Sequence, residues 1–182
     1  MLEILASISV IVMIICMLFN PKVSIIKIFI KQLSVFKNAK TEKISVWDLF
    51  CFIVAPIVLA MLLVFKLGYD ISNSVAGVLT TVYAFIFTVL FGFAAVLVGK
   101  IDSKNELEKQ VTEETFVSVL TSNILSLINA IASIILLNIN EDLECVRNLV
   151  SAIIYSISFI TIMLLLMITK RTFIIYCDKK KK

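Results

Sequence analysis

Residues 74–98 read SVAGVLTTVYAFIFTVLFGFAAVLV, without one charged side chain. At 1.5 Å of rise per residue, a helix of that length more than covers the roughly 30 Å of hydrocarbon in a bilayer. Nothing in it alternates apolar with polar as a barrel strand does. It reads as a transmembrane helix, and residues 2–19, 46–65, 116–137 and 149–168 follow the same pattern. The expected fold is all-α: one polytopic transmembrane helical bundle over residues 1–182, with five spans, or four if 2–19 does not cross.

Composition agrees with the local reading. The chain is 60% apolar and 16% charged, with a mean hydropathy of +1.07, too little charge to cover a soluble domain of this length. The first apolar run has only Glu3 before it and no small-residue cleavage site after it, so it is expected to be retained rather than removed as a signal.

The basic residues orient the spans. Lys22, Lys27, Lys31, Lys37, Lys40 and Lys43 lie between the first and second, and Lys100, Lys104 and Lys109 between the third and fourth. Lys170, Arg171 and Lys179 to Lys182 follow the fifth. The two remaining linkers hold one each, Lys66 and Arg147. The positive-inside rule places the basic linkers in the cytoplasm, with the N-terminus outside and the C-terminus inside the cell's inner membrane. Because these lysines flank spans, the positive charge implies no direct nucleic-acid binding. As a cationic collar they suit an anionic leaflet or an acidic protein partner.

Asn20 and Pro21 suit a helix start, and residues 22–37 then read as an amphipathic helix. Ile26, Phe29, Ile30, Leu33 and Phe36 recur at helical spacing, with Lys27 and Lys31 on another face. Such a helix lies along the membrane interface, or else packs on the spans from the cytoplasm. In the second span, Trp47 and Asp48 stand at the entry, and Pro56 lies mid-span, where it should kink the helix.

No catalytic signature is present. Histidine is absent, and there is no phosphate-binding Gly-rich loop or nucleophile elbow. Cys16, Cys51, Cys145 and Cys177 have no zinc-site spacing. The chain is therefore expected to be non-enzymatic, without metal or cofactor. No charge lies near the middle of any span, which argues against a small transporter subunit.

Two helical stripes stand out. In the third span Gly77, Thr81, Ala84, Thr88, Gly92, Ala95 and Gly99 form a face of small residues, suited to close packing within the chain or between subunits. In the fourth, Thr115, Ser118, Ser122, Ser126, Asn129 and Ser133 form a polar face, either interhelical glue or the lining of a pore. Ser151, Tyr155 and Ser158 on the fifth span are placed to meet it. Ser103 and Glu106 fit a capping box, so the fourth helix should extend into the cytoplasm. Lys27, Lys31, Lys37, Lys40, Glu106, Glu108, Glu113 and Glu114 are the residues expected to face lipid or a partner.

Gly92-Phe93-Ala94-Ala95, Glu114-Thr115-Phe116 and Ser122-Asn123, set in a small-residue span, a charged linker and a polar span, resemble the membrane subunits of bacterial anti-phage defence systems, the Kiwa type among them. The resemblance implies an oligomeric inner-membrane sensor that holds a cytoplasmic effector. The expected function is accordingly a homo-oligomeric sensor or scaffold with a cytoplasmic protein partner. The alternative is a pore-forming effector that depolarises the membrane.

Overall fold

The computed structural model describes residues 25–36, 45–99, 106–139 and 143–180. These fold as helices: α1 (Ile25–Val35), α2 (Val46–Lys66), α3 (Asn73–Val98), α4 (Glu106–Leu137) and α5 (Glu144–Lys180). Among the described residues, α2 to α5 are long and apolar enough to cross a membrane, and no strand is present. The span expected over 2–19, the Ser103 cap, Lys37 and Lys40 lie outside the described residues.

The four long helices run up and down. Leu90, Ala94 and Leu97, late in α3, pack with Val119 early in α4 and Ile168 late in α5. At the opposite end Ala76, Leu136 and Ile154 meet around Ile71. A third cluster joins Phe36, just past α1, to Leu125 and Leu164, with Phe52 of α2 against it. Helix α4 contributes to all three clusters, and 56% of its span is buried against 17–33% for the others. It is the central helix. We call the end with Lys27, Lys31, Lys109 and Arg171 the basic end.

Local chemistry sets the helix limits. Ser45 caps α2 by accepting from the Asp48 amide, 3.3 Å away. Ahead of Pro56 the helix widens into a π turn over Phe50–Val54, in which the Ala55 amide reaches back to the Phe50 carbonyl. Pro56 has no N–H to give the Phe52 carbonyl, and the expected distortion takes this form. A second π turn covers Leu62–Lys66. The helix then ends in a glycine-capped turn one residue wider than a Schellman motif, in keeping with the π turn before it, with Tyr69 N–H on Leu63 O at 3.0 Å and Gly68 N–H on Val64 O at 3.2 Å. Gly68 holds φ at +70°.

A Cβ at Gly68 meets nothing within 4 Å, so substitution there tests backbone conformation alone. Gly68→Ala should cost about 1–2 kcal/mol, read as a lower unfolding temperature in detergent. Gly68→Asn should recover part of it, because Asn tolerates the left-handed region.

Helix α3 shows how burial chooses a face. Ala76, Tyr83, Leu90 and Leu97 are buried at intervals of seven residues, with Ala94 beside them. This is the narrow seam of two antiparallel helices packed at a shallow angle. The small-residue stripe lies roughly 150° round the same helix, at 100° per residue. Helix α4 does extend beyond its span to Glu106, and α5 continues past the predicted 168 to Lys180.

Candidate functional site

Among the described residues the central helix carries most of the buried polarity. Thr115, Ser118, Ser122, Ser126, Asn129 and Ser133 are each 0% exposed. Small side chains four residues apart at 118, 122 and 126 let neighbouring helices approach closely, which matters in lipid because packing replaces the hydrophobic effect there. Their hydroxyls mostly stay at home. Ser118 Oγ donates to Glu114 O at 2.9 Å, Ser126 Oγ to Ser122 O at 2.8 Å and Ser133 Oγ to Asn129 O at 2.9 Å. Such bonds satisfy the hydroxyl without tying two helices together.

The tie between helices is Asn129. Its Nδ2 donates to Ser158 Oγ on α5 at 3.0 Å, and Ser158 Oγ donates in turn to Ile154 O at 2.6 Å. Of the three α5 residues expected to meet the stripe, Ser158 does so. Ser151 bonds elsewhere, and Tyr155 packs on the Ile71 cluster. Within one chain the polar face is therefore a closed seam with no water-accessible surface. Ser122 Oγ and Asn129 Oδ1 lie buried in it without a protein partner.

The small-residue stripe is placed oppositely. Thr81, Ala84, Thr88, Gly92, Ala95 and Gly99 are exposed, and Gly77 is half-buried. A Cβ at Gly77 or Gly92 meets no atom within 4 Å, and one at Gly99 meets only Val96 O of its own helix. Thr81 and Thr88 turn their hydroxyls back to Gly77 O and Ala84 O. Among the described residues nothing packs against the exposed part of this face. The reason is volume: the interior of the α3–α4 seam takes Tyr83, Leu90 and Leu97 instead.

Helix α1 docks on the bundle through Phe29, Phe36 and a residue the apolar pattern passed over, Gln32, which is 5% exposed. Phe36 lies 5.2 Å, ring to ring, from Phe52. Of the expected apolar face, Ile26, Ile30 and Leu33 stay exposed, as do Lys27 and Lys31.

Both ends of the bundle carry an ion pair. At the basic end Arg171 of α5 meets Glu114 at 3.1 Å, and Gln110 Nε2 donates to the same carboxylate. Glu106 and Glu113 are open to the surroundings, and Glu108 is partly covered. At the other end Arg147, 8% exposed, donates from Nη2 to Ile71 O at 3.0 Å, and its Nε lies 3.5 Å from Asp70. In the sequence Arg147 stands out only as a lone basic residue in its linker. Among the described residues no group of His, Cys, Asp or Glu is placed to hold a metal.

No protein-family model, curated protein or solved structure matches the chain.

Proposed function

We propose that the chain is a non-enzymatic, self-associating membrane protein whose basic end faces the cytoplasm and holds a protein partner there. One observation carries the reading: on the face of α3 built from Gly77, Thr81, Ala84, Thr88, Gly92, Ala95 and Gly99, every residue but the half-buried Gly77 is left open by the other described residues. Small residues on a lipid-facing helix let a second backbone come close, and larger side chains would serve lipid contact equally well. A neighbouring subunit explains the choice.

Orientation follows from the basic linkers, with the N-terminus outside and the C-terminus inside the inner membrane. The open Glu106 and Glu113, with Lys27 and Lys31, supply charge for a cytoplasmic partner and for the anionic leaflet. The role is that of a sensor or scaffold rather than a transporter. A setting in phage defence rests on the resemblance of residues 92–95, 114–116 and 122–123 alone.

Gly92→Ile tests the reading cleanly, because a Cβ at Gly92 meets none of the described residues within 4 Å. The variant should insert and melt like the wild type, yet run as a monomer in light scattering coupled to size exclusion. Wild-type protein that is monomeric in lipid nanodiscs sinks the proposal, as does a Gly92→Ile oligomer of unchanged size.

A second reading, a depolarising pore, draws on the unpartnered Ser122 Oγ and Asn129 Oδ1 in the seam. It requires overexpressed protein to collapse the membrane potential reported by a voltage-sensitive dye. The scaffold requires the potential to hold.

A further inference from the structure

We infer that α1 is a lipid-responsive lever, docked on the bundle while an anionic leaflet holds its basic edge and released when that charge is lost. The inference rests on the reading of the chain as a membrane sensor and names what it senses: the anionic phospholipid content of the leaflet beside α1.

The helix has three sectors rather than two faces. Gln32, Phe29 and Phe36 turn toward the bundle. Ile26, Ile30 and Leu33, all exposed, lie roughly 100° round in one direction, and Lys27 and Lys31 roughly 140° round in the other. That order fits a helix lying in the membrane interface against the side of the bundle. Its apolar sector dips toward the acyl chains and its lysines reach the headgroups. There is no acidic side chain in Ile25–Val35 to oppose an anionic surface. Each lysine near such a surface shifts an equilibrium about fivefold.

The docked state is held only loosely. Gln32 Oε1 sits 3.5 Å from Thr121 Oγ1, but Thr121 already gives its single proton to Val117 O at 2.9 Å. Gln32 Nε2 has no partner. If the amide is turned round, Nε2 reaches Thr121 and Oε1 becomes the orphan. Either way half of a buried amide is unpaired, and that opposes the packing of Phe29 and Phe36. An element so balanced has two accessible states, and a ligand that favours one of them moves the population. Gln32 touches α4 at Thr121, next to Ser122 of the polar seam, so undocking changes the surroundings of the central helix.

The test uses full-length protein with its native cysteines replaced by serine and nitroxides at Ser34→Cys and Glu113→Cys, both exposed positions. Labelled chains are diluted with unlabelled ones and reconstituted in phosphatidylcholine vesicles with or without phosphatidylglycerol. Electron–electron double resonance should show one short distance with phosphatidylglycerol and an added longer population without it. Gln32→Leu removes the unpaired amide and should raise the docked-to-undocked ratio about tenfold or more, giving the short distance in both lipids. Lys27→Gln with Lys31→Gln should abolish the difference between lipids.

Identical wild-type distributions in the two lipids overturn the inference, and so does a shift that survives loss of both lysines. A shift produced only by a soluble acidic polypeptide also overturns it, in favour of a protein occupant. The subunit count of the same samples is read separately. A lipid-independent oligomer therefore defeats the lever alone, and a monomer with a lipid-dependent distance defeats only the self-association.

Discussion

Ser126→Leu is expected to destabilise the bundle by about 1–3 kcal/mol through overpacking, whereas Ser126→Ala should cost under about 1 kcal/mol. Ser126 is 0% exposed on the central helix, so a leucine's bulkier branched chain has to be fitted among buried neighbours. A leucine there must push α4 off its neighbour or leave its own rotamer well, and either strains a close-packed interface. Alanine fills nearly the same volume as serine. It loses only the bond from Ser126 Oγ to Ser122 O, a carbonyl that the helix already uses for its own i to i−4 ladder. Unfolding temperatures of the three proteins in one detergent decide the matter. The comparison also bears on function. A water-lined pore face accepts a leucine at modest cost, since the side chain projects into open space. A closed seam does not, so equal stability of the alanine and leucine variants would mean that this face is open in the native assembly.

What the sequence makes legible is the period of each helix and its limits, because both are local. Uncharged runs bound α2 and α3 to within a residue, and the reach of α4 to Glu106 followed from the charge and capping pattern, whereas α5 runs well past its apolar stretch into the basic tail. Which face of a helix turns inward is not local. In α3 two stripes compete, a small-residue stripe at a mean spacing near 3.7 residues and a seven-residue repeat through Ala76, Tyr83, Leu90 and Leu97. The second is buried because an interior must be filled, and glycine and alanine fill little. In α4 small residues do go inside. There a helix surrounded on several sides needs close approach, and the serines provide it. Gln32 did leave a signal: it follows Phe29 by three residues and precedes Phe36 by four, a polar side chain at a core position of the amphipathic pattern. Arg147 left none, since its partner carbonyl stands 76 residues away in the chain.

That long-range contact sets the second large effect. Arg147→Met should cost about 1–3 kcal/mol, and Asp70→Asn well under 1 kcal/mol. The reason lies in Ile71, which is 1% exposed between the Gly68 turn and the Ser72 cap. Both of its backbone groups end on α5: the N–H on Ser151 Oγ at 3.2 Å and the C=O on Arg147 Nη2 at 3.0 Å. Buried peptide groups that lose such partners have nothing to replace them in a lipid-facing bundle. Asp70 is different, because its side chain is 49% exposed and 3.5 Å from Nε, so solvent and salt weaken the attraction. The position of Arg147 strengthens the case. It lies in the first turn of α5, where the helix dipole disfavours a cation, so its stabilising contact must come from across the interface. Methionine keeps the apolar stem and removes the guanidinium, with both its bond to Ile71 O and its contact with Asp70, and Asp70→Asn isolates the second of these. Thermal unfolding at low and high salt separates the two roles. The Arg147→Met loss should persist in salt, the small Asp70→Asn loss should vanish, and amide exchange at Ile71 should quicken in the first variant only. Equal losses from the two substitutions, both screened by salt, would make the contact an ordinary ion pair and leave Ile71 without its anchor.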